Sequence, residues 1–283
     1  YHPVSLPPMI ETQLAFIGAG NMARSLVGGL IADGWDPGVI GVSDPDSNQL
    51  TALSSHFGVS TPTDNTTNLA GRDVVVLAVK PQVMSAVARD IAATVQQENP
   101  LVISIAAGIR STDLESWLGG SCAVVRCMPN TPALVQTGAT ALFATPSVSA
   151  EQKDLAESIL RAAGLTVWVD DEAQLDAVTA LSGSGPAYFF LFMEALEEAG
   201  IELGLDPQSA RLLTLQTALG AAKMALESKD EPAVLRQHVT SPGGTTERAL
   251  EVFESGHIRA LFDKALTAAR DRSRELASQL GAG

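Results

Sequence analysis

Seven short apolar runs within the first 170 residues constrain the fold of this chain more than any other feature. Some of them, such as Val74–Val79, are apolar at every position and not only at alternate positions. A strand with that pattern is buried on both faces, as in a parallel sheet that helices cover. Because the runs are rich in Val and Ile and end at Gly, Pro, Asp or Asn, we predict strands at Leu14–Ile17, Val39–Val42, Val74–Val79, Leu101–Ile105, Ala123–Cys127, Thr140–Phe143 and Thr166–Val169.

Amphipathic stretches separate several of these runs. Their apolar residues recur at helical spacing, so we predict helices at Asn21–Ala32, Asp46–Phe57, Gln82–Val95, Ser111–Leu118 and Ala150–Ala163. Strands that alternate with helices in this way form a doubly wound, Rossmann-like α/β domain.

From Asp176 onward only helical patterns remain. Asp206 and Pro207 are typical of a helix start, because Asp caps free amides and Pro suits the first helical position. We therefore predict an extension at residues 1–9, an α/β domain at residues 10–172 and an all-α domain at residues 173–283. The all-α domain is small and apolar, so we expect it to bury part of its surface against another subunit.

The charge balance excludes several classes of partner. The chain has 18 Lys and Arg against 32 Asp and Glu, a formal net charge of −14, whereas a protein that binds nucleic acid needs a basic face. No uncharged apolar stretch approaches the roughly 18 residues of a membrane span. The two cysteines cannot build a disulfide framework, and the four histidines do not cluster, so we expect no metal site. These features predict a cytoplasmic protein.

A glycine-rich turn follows the first predicted strand directly and opens the first predicted helix. Its sequence is Gly18-Ala19-Gly20-Asn21-Met22-Ala23, a Gly-x-Gly-x-x-Ala pattern. Gly18 permits the tight turn, Gly20 lets the backbone approach a pyrophosphate, and Ala23 lets helix and strand pack closely. The free amides at the helix start favour a dinucleotide phosphate. The turn therefore predicts a dinucleotide site, although a structural turn in another α/β protein is the alternative.

Other candidate contacts follow the ends of later strands, where open α/β sheets bind ligands. Asp44 stands where an acidic side chain accepts a bond from the ribose 2′-hydroxyl of NAD, whereas Ser43 could donate to the 2′-phosphate of NADP. Two loops, Ala78-Val79-Lys80-Pro81 and Ala106-Ala107-Gly108, follow the third and fourth strands. We predict that Lys80 contacts a phosphate or the nicotinamide side, the alternative being an ordinary surface lysine.

A second dense cluster of small and hydroxyl residues lies in the all-α part, at Ser241-Pro242-Gly243-Gly244-Thr245-Thr246. The next helix opens here, so its unpaired amides face whatever fills the loop. Such a loop suits a small carboxylate, but a capped turn between two helices would have the same sequence. From spacing alone the two interpretations are equal.

These motifs together resemble those of the Δ1-pyrroline-5-carboxylate reductase family, and the resemblance extends over Ile10 to Leu280. The motif that runs from Thr240 to Thr246 corresponds to that family's signature and is far more specific than the dinucleotide pattern. The motifs that carry it are Phe16-Ile17-Gly18-Ala19-Gly20-Asn21-Met22-Ala23, Ala78-Val79-Lys80-Pro81, Ser104-Ile105-Ala106-Ala107-Gly108, Arg126-Cys127-Met128-Pro129-Asn130-Thr131-Pro132, the stretch from Asp176 to Tyr188, and Thr240-Ser241-Pro242-Gly243-Gly244-Thr245-Thr246.

The resemblance implies reduction of the C=N bond of 1-pyrroline-5-carboxylate to L-proline, the last step of proline biosynthesis. It implies a hydride from NADPH or NADH; we expect NADP as the cofactor, and Asp44 also admits NAD. It implies a homodimer through the helical domain, with dimers assembled into a decamer. Thr246 would face the ring nitrogen, and the substrate carboxylate would be held by Ser241, Gly243, Gly244 and Thr245. The cofactor would contact Gly18, Ala19, Gly20, Asn21, Met22, Ser43 near the 2′ position, Asn65 at the adenosine end, Ala78, Lys80, Pro81, Ala106, Ala107 and Gly108.

Two other functions stay open at this point. A β-hydroxyacid dehydrogenase also joins a dinucleotide domain to helices, but it needs a catalytic lysine, for which Lys223 is a loose match. A non-catalytic NADP sensor would keep the glycine-rich turn without needing the Ser241–Thr246 segment.

Overall fold

The computed structural model describes residues 12–281, so the predicted extension at residues 1–9 lies outside the described residues. A seven-stranded sheet in the order β2-β1-β3-β4-β5-β6-β7 forms the centre of the α/β part. All seven predicted strands are confirmed, with bounds that differ by a few residues. The strands are β1 (Leu14–Ile17), β2 (Ile40–Ser43), β3 (Val74–Leu77), β4 (Leu101–Ser104), β5 (Val124–Met128), β6 (Gly138–Ala144) and β7 (Gly164–Trp168).

Helices connect and follow the strands. The five predicted helices of the α/β part are confirmed, and the described residues after Asp176 form helices joined by short turns and no strand, as predicted. The helices are α1 (Asn21–Ala32), α2 (Ser47–Phe57), α3 (Asn65–Leu69), α4 (Pro81–Glu98), α5 (Ser111–Trp117), α6 (Ala150–Arg161), α7 (Gln174–Val178), α8 (Gly185–Glu202), α9 (Pro207–Glu227), α10 (Pro232–His238), α11 (Thr245–Ser255) and α12 (Ile258–Gly281).

Alternate residues of the central strands enter two separate cores, one on each face of the sheet. Val74 and Val76 of β3 pack in one core, and Val75 and Leu77 pack in the other. All four side chains are fully buried. This arrangement explains why the strand is apolar at every position, because neither face of the sheet meets water.

One strand pair departs from the parallel sheet that the sequence predicts. β5 pairs with β6 in antiparallel orientation, whereas the other neighbouring strands pair in parallel. The reason is the short connection at residues 129–137, which contains only a 3₁₀ turn at Thr131–Val135. A parallel crossover needs about a dozen residues or more, so this connection permits only a reversal of direction.

The chain forms two compact units, residues 12–184 with 269–281, and Gly185–Ala268. The last turns of α12 belong to the first unit, where the Ser273 hydroxyl donates to Asp176 at 2.7 Å. The sequence-based boundary at residues 172 and 173 lies inside that unit. In the second unit the Asp206 carboxylate accepts a bond from the amide of Ser209, so this helix start is confirmed. Across residues 12–281 no helix has both the length and the apolar character required to cross a bilayer.

Candidate functional site

The predicted cofactor residues of the first unit gather at one edge of its sheet. Ile17 of β1 lies in register with Ser43 of β2 and Leu77 of β3, and Leu77 lies beside Ser104 of β4. The strand order reverses between β1 and β3, and open α/β sheets bind ligands at such a point. Gly18, Ala19, Gly20, Asn21 and Met22 follow β1; Ala78, Lys80 and Pro81 follow β3; Ala106, Ala107 and Gly108 follow β4.

Gly18 is required by the protein's own backbone. Its φ is +104°, a conformation that side-chain-bearing residues rarely adopt. A Cβ at this position would lie 2.6 Å from the carbonyl oxygen of Ala78. The Gly18 amide donates to the carbonyl of Ser43 at 2.8 Å, and the Ala78 amide donates to Ile17 at 2.8 Å. The loops after β1 and β3 are therefore held tightly together.

Gly20 differs from Gly18, because nothing in the protein requires a glycine there. Its φ is −67°, and no atom lies within 4 Å of the place a Cβ would take. Gly20 precedes α1, whose first amides receive no side-chain cap. An open space in front of uncapped helix amides fits a close approach by a phosphate. These residues fit a dinucleotide pyrophosphate.

Ser43 and Asn65 lie together beside the end of β2. The Ser43 hydroxyl donates to Oδ1 of Asn65 at 2.8 Å and accepts from Nδ2 of Asn68 at 3.2 Å. Ser43 is only 2% exposed, and Asn65 is half-buried at the start of α3. The structure thus brings these two predicted residues together but gives the Ser43 hydroxyl two partners inside the protein.

Asp44 is bound to the glycine-rich turn. One carboxylate oxygen accepts from the amide of Ala19 at 2.8 Å, and the other accepts from the amide of Asp46 at 2.8 Å. The first of these bonds joins residues 25 positions apart in the chain. A carboxylate therefore lies within hydrogen-bond distance of the backbone that is expected to receive a pyrophosphate.

The remaining predicted contacts of this edge differ in exposure. Lys80 is exposed and directly precedes α4, in which Pro81 takes the first position. Ala106 is buried in the core, whereas Ala107 is exposed. Gly108 faces the end of α12, since a Cβ there would lie 3.3 Å from Leu280. Because its side chain is exposed, Lys80 can turn toward a bound anion.

The second predicted site lies in the other unit, in the turn that precedes α11. The amide of Gly244 donates to the carbonyl of Ser241 at 3.0 Å, which closes a four-residue turn. Gly243 takes the third position with φ +71°, and Pro242 takes the second, as a type II turn requires. No side chain caps the first amides of α11. The predicted carboxylate-binding residues are thus brought together at an uncapped helix start.

One amide of this turn already holds a carboxylate. The side chain of Glu247 accepts from the Gly243 amide at 2.7 Å. Because the Gly244 amide is used within the turn, the groups left for another anion are the Ser241 hydroxyl and the first amides of α11, those of Thr245, Thr246 and Glu247. Thr246 is half-buried, and its hydroxyl has no hydrogen-bond partner within residues 12–281.

Sequence reasoning assigned no role to Asn130, which makes three contacts. Its Nδ2 donates to the carbonyl and the hydroxyl of Ser182 at 3.3 and 3.2 Å, and its Oδ1 accepts from the Ala139 amide at 2.9 Å. Ser182 belongs to a π-helical turn, Thr179–Gly183, a geometry that often occurs at functional sites. The signal in the sequence is the Ser-Gly-Ser-Gly-Pro stretch at residues 182–186.

Sequence reasoning also missed an ion pair at β5. Arg126 donates to Glu172 at 2.6 Å, and the other contacts of the Glu172 carboxylate are the Ser111 amide and hydroxyl at 2.7 and 2.8 Å. Burial by itself raises the pKa of Glu172, but the hydrogen bonds from Arg126 and Ser111 outweigh it and hold the pKa below its ordinary value of 4.5. The pair joins β5 to the start of α5.

We expect Glu172→Gln to lower the free energy of unfolding at pH 7 by about 1–3 kcal/mol, because it leaves Arg126 without its charge partner. The depressed pKa makes this contribution complete above pH 4.5 and lost as the pH falls through the lower folded-state value. The difference from wild type should therefore shrink in acid. Urea unfolding followed by tryptophan fluorescence measures it, since Trp35, Trp117 and Trp168 all lie in the first unit.

Asp90→Asn is the control for this variant, because it also replaces a carboxylate by an amide. Asp90 is an exposed residue on α4 in the same unit, so the change should alter stability by less than about 0.5 kcal/mol. If the two variants lost the same free energy of unfolding at pH 7, the ion pair would contribute no more to stability than an exposed carboxylate does.

Comparison with known proteins identifies both parts of the chain. Residues 172–276 match the family model described as pyrroline-5-carboxylate reductase dimerisation, and residues 13–108 match the model for NADP oxidoreductase, coenzyme F420-dependent. Pyrroline-5-carboxylate reductase of Pseudomonas aeruginosa is 54% identical over 96% of this chain and 100% of its own length. The enzyme of that name from Pasteurella multocida is 44% identical over 95% and 98%.

Solved structures agree with these matches. The structure of a pyrroline-5-carboxylate reductase from Coxiella burnetii is 52% identical and has a TM-score of 0.91, covering 94% of this chain and 98% of that one. Pyrroline carboxylate reductase of Plasmodium falciparum, solved with NADP bound, is 28% identical with a TM-score of 0.82, at 94% and 98% coverage. The resemblance found in the sequence motifs is confirmed, and the chain belongs to the pyrroline-5-carboxylate reductase family.

Proposed function

We propose that this chain reduces 1-pyrroline-5-carboxylate to L-proline with a reduced nicotinamide dinucleotide, the last step of proline biosynthesis. The observation that supports this most directly is that both reactants have a fitting site on one chain. The edge at β1 and β3 fits a pyrophosphate, and the turn before α11 offers uncapped amides and a Thr246 hydroxyl without a partner. Family membership names the reaction that uses the two together.

The substrate carboxylate binds at the start of α11. The Thr245 amide and the Ser241 hydroxyl receive it, and the positive end of the helix favours its charge. The contact that Glu247 makes with Gly243 supports this role, because it places a carboxylate of the protein against the same turn. For the Gly243 amide to join, the Glu247 side chain must first leave it.

The chemistry makes few demands on the protein. When bound, the reduced nicotinamide supplies a hydride for the imine carbon, while the ring nitrogen needs a proton. A protonated imine is already electrophilic, so orientation is the largest contribution that the chain can make. Thr246 orients the ring nitrogen or passes it the proton through its hydroxyl. This explains why no catalytic His or Cys is required.

The residues at the sheet edge hold the dinucleotide. Gly18 to Met22 receive the pyrophosphate, Asn65 and Ser43 lie toward the adenosine end, and Lys80 contacts a phosphate or the nicotinamide side. Ala78, Pro81 and the Ala106–Gly108 loop form the remaining wall. NADPH and NADH share the pyrophosphate and nicotinamide contacts of this arrangement, and the preference between them depends on the charges near the end of β2.

The second unit pairs with a second copy of the chain. Three successive residues of α8, Phe189, Phe190 and Leu191, are 68%, 64% and 65% exposed, so the chain itself leaves this helix largely uncovered. A surface of this kind on a reductase with a dimerisation-model match is expected to be an interface between copies.

We expect light scattering to give at least the mass of a dimer, and we expect Phe190→Asp to reduce that mass. An unaltered mass in that variant would exclude Phe190 from the interface. The mass from the same light-scattering measurement also tests whether dimers assemble into the proposed decamer.

We propose that the chain is cytoplasmic. This location is supported by the two cysteines, which are buried and unpaired. Burial raises the pKa of Cys122 to about 11 and raises that of Cys127 further, so both stay thiols at neutral pH.

The test of the proposed function is nucleotide oxidation at 340 nm. With 1-pyrroline-5-carboxylate we expect the absorbance of NADPH or NADH to fall. With oxidised nucleotide and 3-hydroxyisobutyrate we expect no change, because Lys223, the candidate lysine of a β-hydroxyacid dehydrogenase, is 69% exposed and pairs with Glu227 at 3.8 Å. Nucleotide binding without turnover of the imine would favour the sensor instead.

A further inference from the structure

We propose that Asp44 makes this chain prefer NADH to NADPH; the inference rests on the proposed function and decides between the two donors that the family resemblance allows. Asp44 directly follows β2. In dinucleotide-binding folds an acidic residue near this position accepts a bond from the ribose 2′-hydroxyl, which NADPH lacks because a phosphate replaces it.

The carboxylate of Asp44 has a fixed place. It accepts from the amides of Ala19 and Asp46, both at 2.8 Å, so it cannot swing into solvent without giving up two hydrogen bonds. Each carboxylate oxygen can accept more than one bond, so capacity remains for a ribose hydroxyl. A 2′-phosphate has no such proton to donate at neutral pH and would face a fixed negative charge.

The segment that follows β2 carries no positive charge of its own to offset that repulsion. Residues 40–70, which run from β2 through α3, contain no Lys or Arg but three aspartates, Asp44, Asp46 and Asp64. The next arginine along the chain, Arg72, donates to the carbonyls of Val39 and Asn68 and to the side chain of Gln13. Its guanidinium is therefore engaged near the residue that precedes β2, away from Asp44.

Two kinds of uncharged group that could bind a phosphate, backbone amides and a hydroxyl, already have partners within the protein. The start of α2 would offer free amides, but the Asp46 carboxylate already accepts from the amides of Asn48 and Gln49 at 2.9 and 3.4 Å. The Ser43 hydroxyl is 2% exposed and is shared between Asn65 and Asn68. The described residues near the end of β2 thus favour a hydroxyl over a phosphate.

The test measures binding without substrate. Titration of the purified protein with NADH and with NADPH, followed by nucleotide fluorescence, should give a Kd for NADPH at least about 10-fold higher. Asp44→Asn removes the charge and keeps one oxygen for the Ala19 amide. We expect it to move the ratio of the two Kd values about 10- to 100-fold toward NADPH. Asp90→Asn, at an exposed position on α4, removes the same charge and should leave the ratio within about 2-fold.

The outcomes separate the two proposals. Equal or tighter binding of NADPH by the wild type overturns the inference, as does an Asp44→Asn ratio equal to that of the wild type. In both cases the reductase function stands. Failure to bind either nucleotide overturns the proposed function and this inference with it. The wild-type ratio remains a test even if the Asp44 variant does not fold.

Discussion

A Gly18→Ala variant is expected to lose roughly 3 kcal/mol or more of its unfolding free energy and to bind reduced nucleotide at least about 100-fold more weakly. Two independent causes act at this position. The φ of +104° is strained for alanine, and the new Cβ would lie 2.6 Å from the carbonyl oxygen of Ala78. Since the Cβ is fixed to the backbone of residue 18 and the Ala78 oxygen is itself a backbone atom, relief requires the loops after β1 and β3 to move apart. Urea unfolding by tryptophan fluorescence and titration with nucleotide measure the two losses.

Gly20→Ala tests whether the glycine is needed for nucleotide binding and not for the stability of the fold. Nothing lies within 4 Å of its Cβ position, so stability should change by less than about 1 kcal/mol, the usual cost of alanine at a helix cap. Nucleotide affinity should nevertheless fall about 10-fold or more, because the methyl group fills the space in front of the α1 amides. Wild-type affinity in Gly20→Ala would place the pyrophosphate elsewhere, and wild-type stability in Gly18→Ala would contradict the close approach of Ala78.

The strands could be predicted because their signal is local. A run such as Val74–Leu77 is apolar throughout since both faces of β3 are buried, and no other element of this length needs that pattern. α3 was missed because it has five residues and starts from a cap, in which the Asp64 carboxylate accepts from the Thr67 amide. The antiparallel pairing of β5 and β6 had a signal in the short connection at residues 129–137, and the general rule of parallel strands in α/β domains obscured it.

The candidate site likewise has parts that the sequence predicts and parts that it does not. The glycine-rich turn was placed by its own residues, because the turn, the close approach and the helix start all follow from the sequence between Gly18 and Ala23. The bond from Asp44 to the Ala19 amide could not be predicted, because it joins residues 25 positions apart and depends on how β1 and β2 pair. The contact between Glu247 and Gly243 spans four residues, yet the spacing alone does not say that the side chain turns back.

Thr246→Ala is expected to lower kcat/KM for 1-pyrroline-5-carboxylate by about 10- to 1,000-fold, the range for loss of one polar contact to the transition state. Thr246 takes the second position of α11, and its hydroxyl makes no bond within the described chain, so its removal leaves no partner unsatisfied. The fold should therefore persist, and the affinity for reduced nucleotide should be unaltered. Steady-state kinetics and nucleotide titration on the same preparation measure these quantities.

Thr246→Ser is the matched variant, because it keeps the hydroxyl and removes only a methyl group. It should retain kcat/KM within about 10-fold of wild type, and the difference between Ser and Ala then measures the hydroxyl alone. If the hydroxyl passes a proton to the ring nitrogen, the loss in Thr246→Ala falls mainly on kcat; if it only binds the ground state, the loss falls on KM. Equal kinetics in the Ala and Ser variants would remove the hydroxyl from the reaction and leave hydride transfer dependent on the orientation of the imine by the α11 amides.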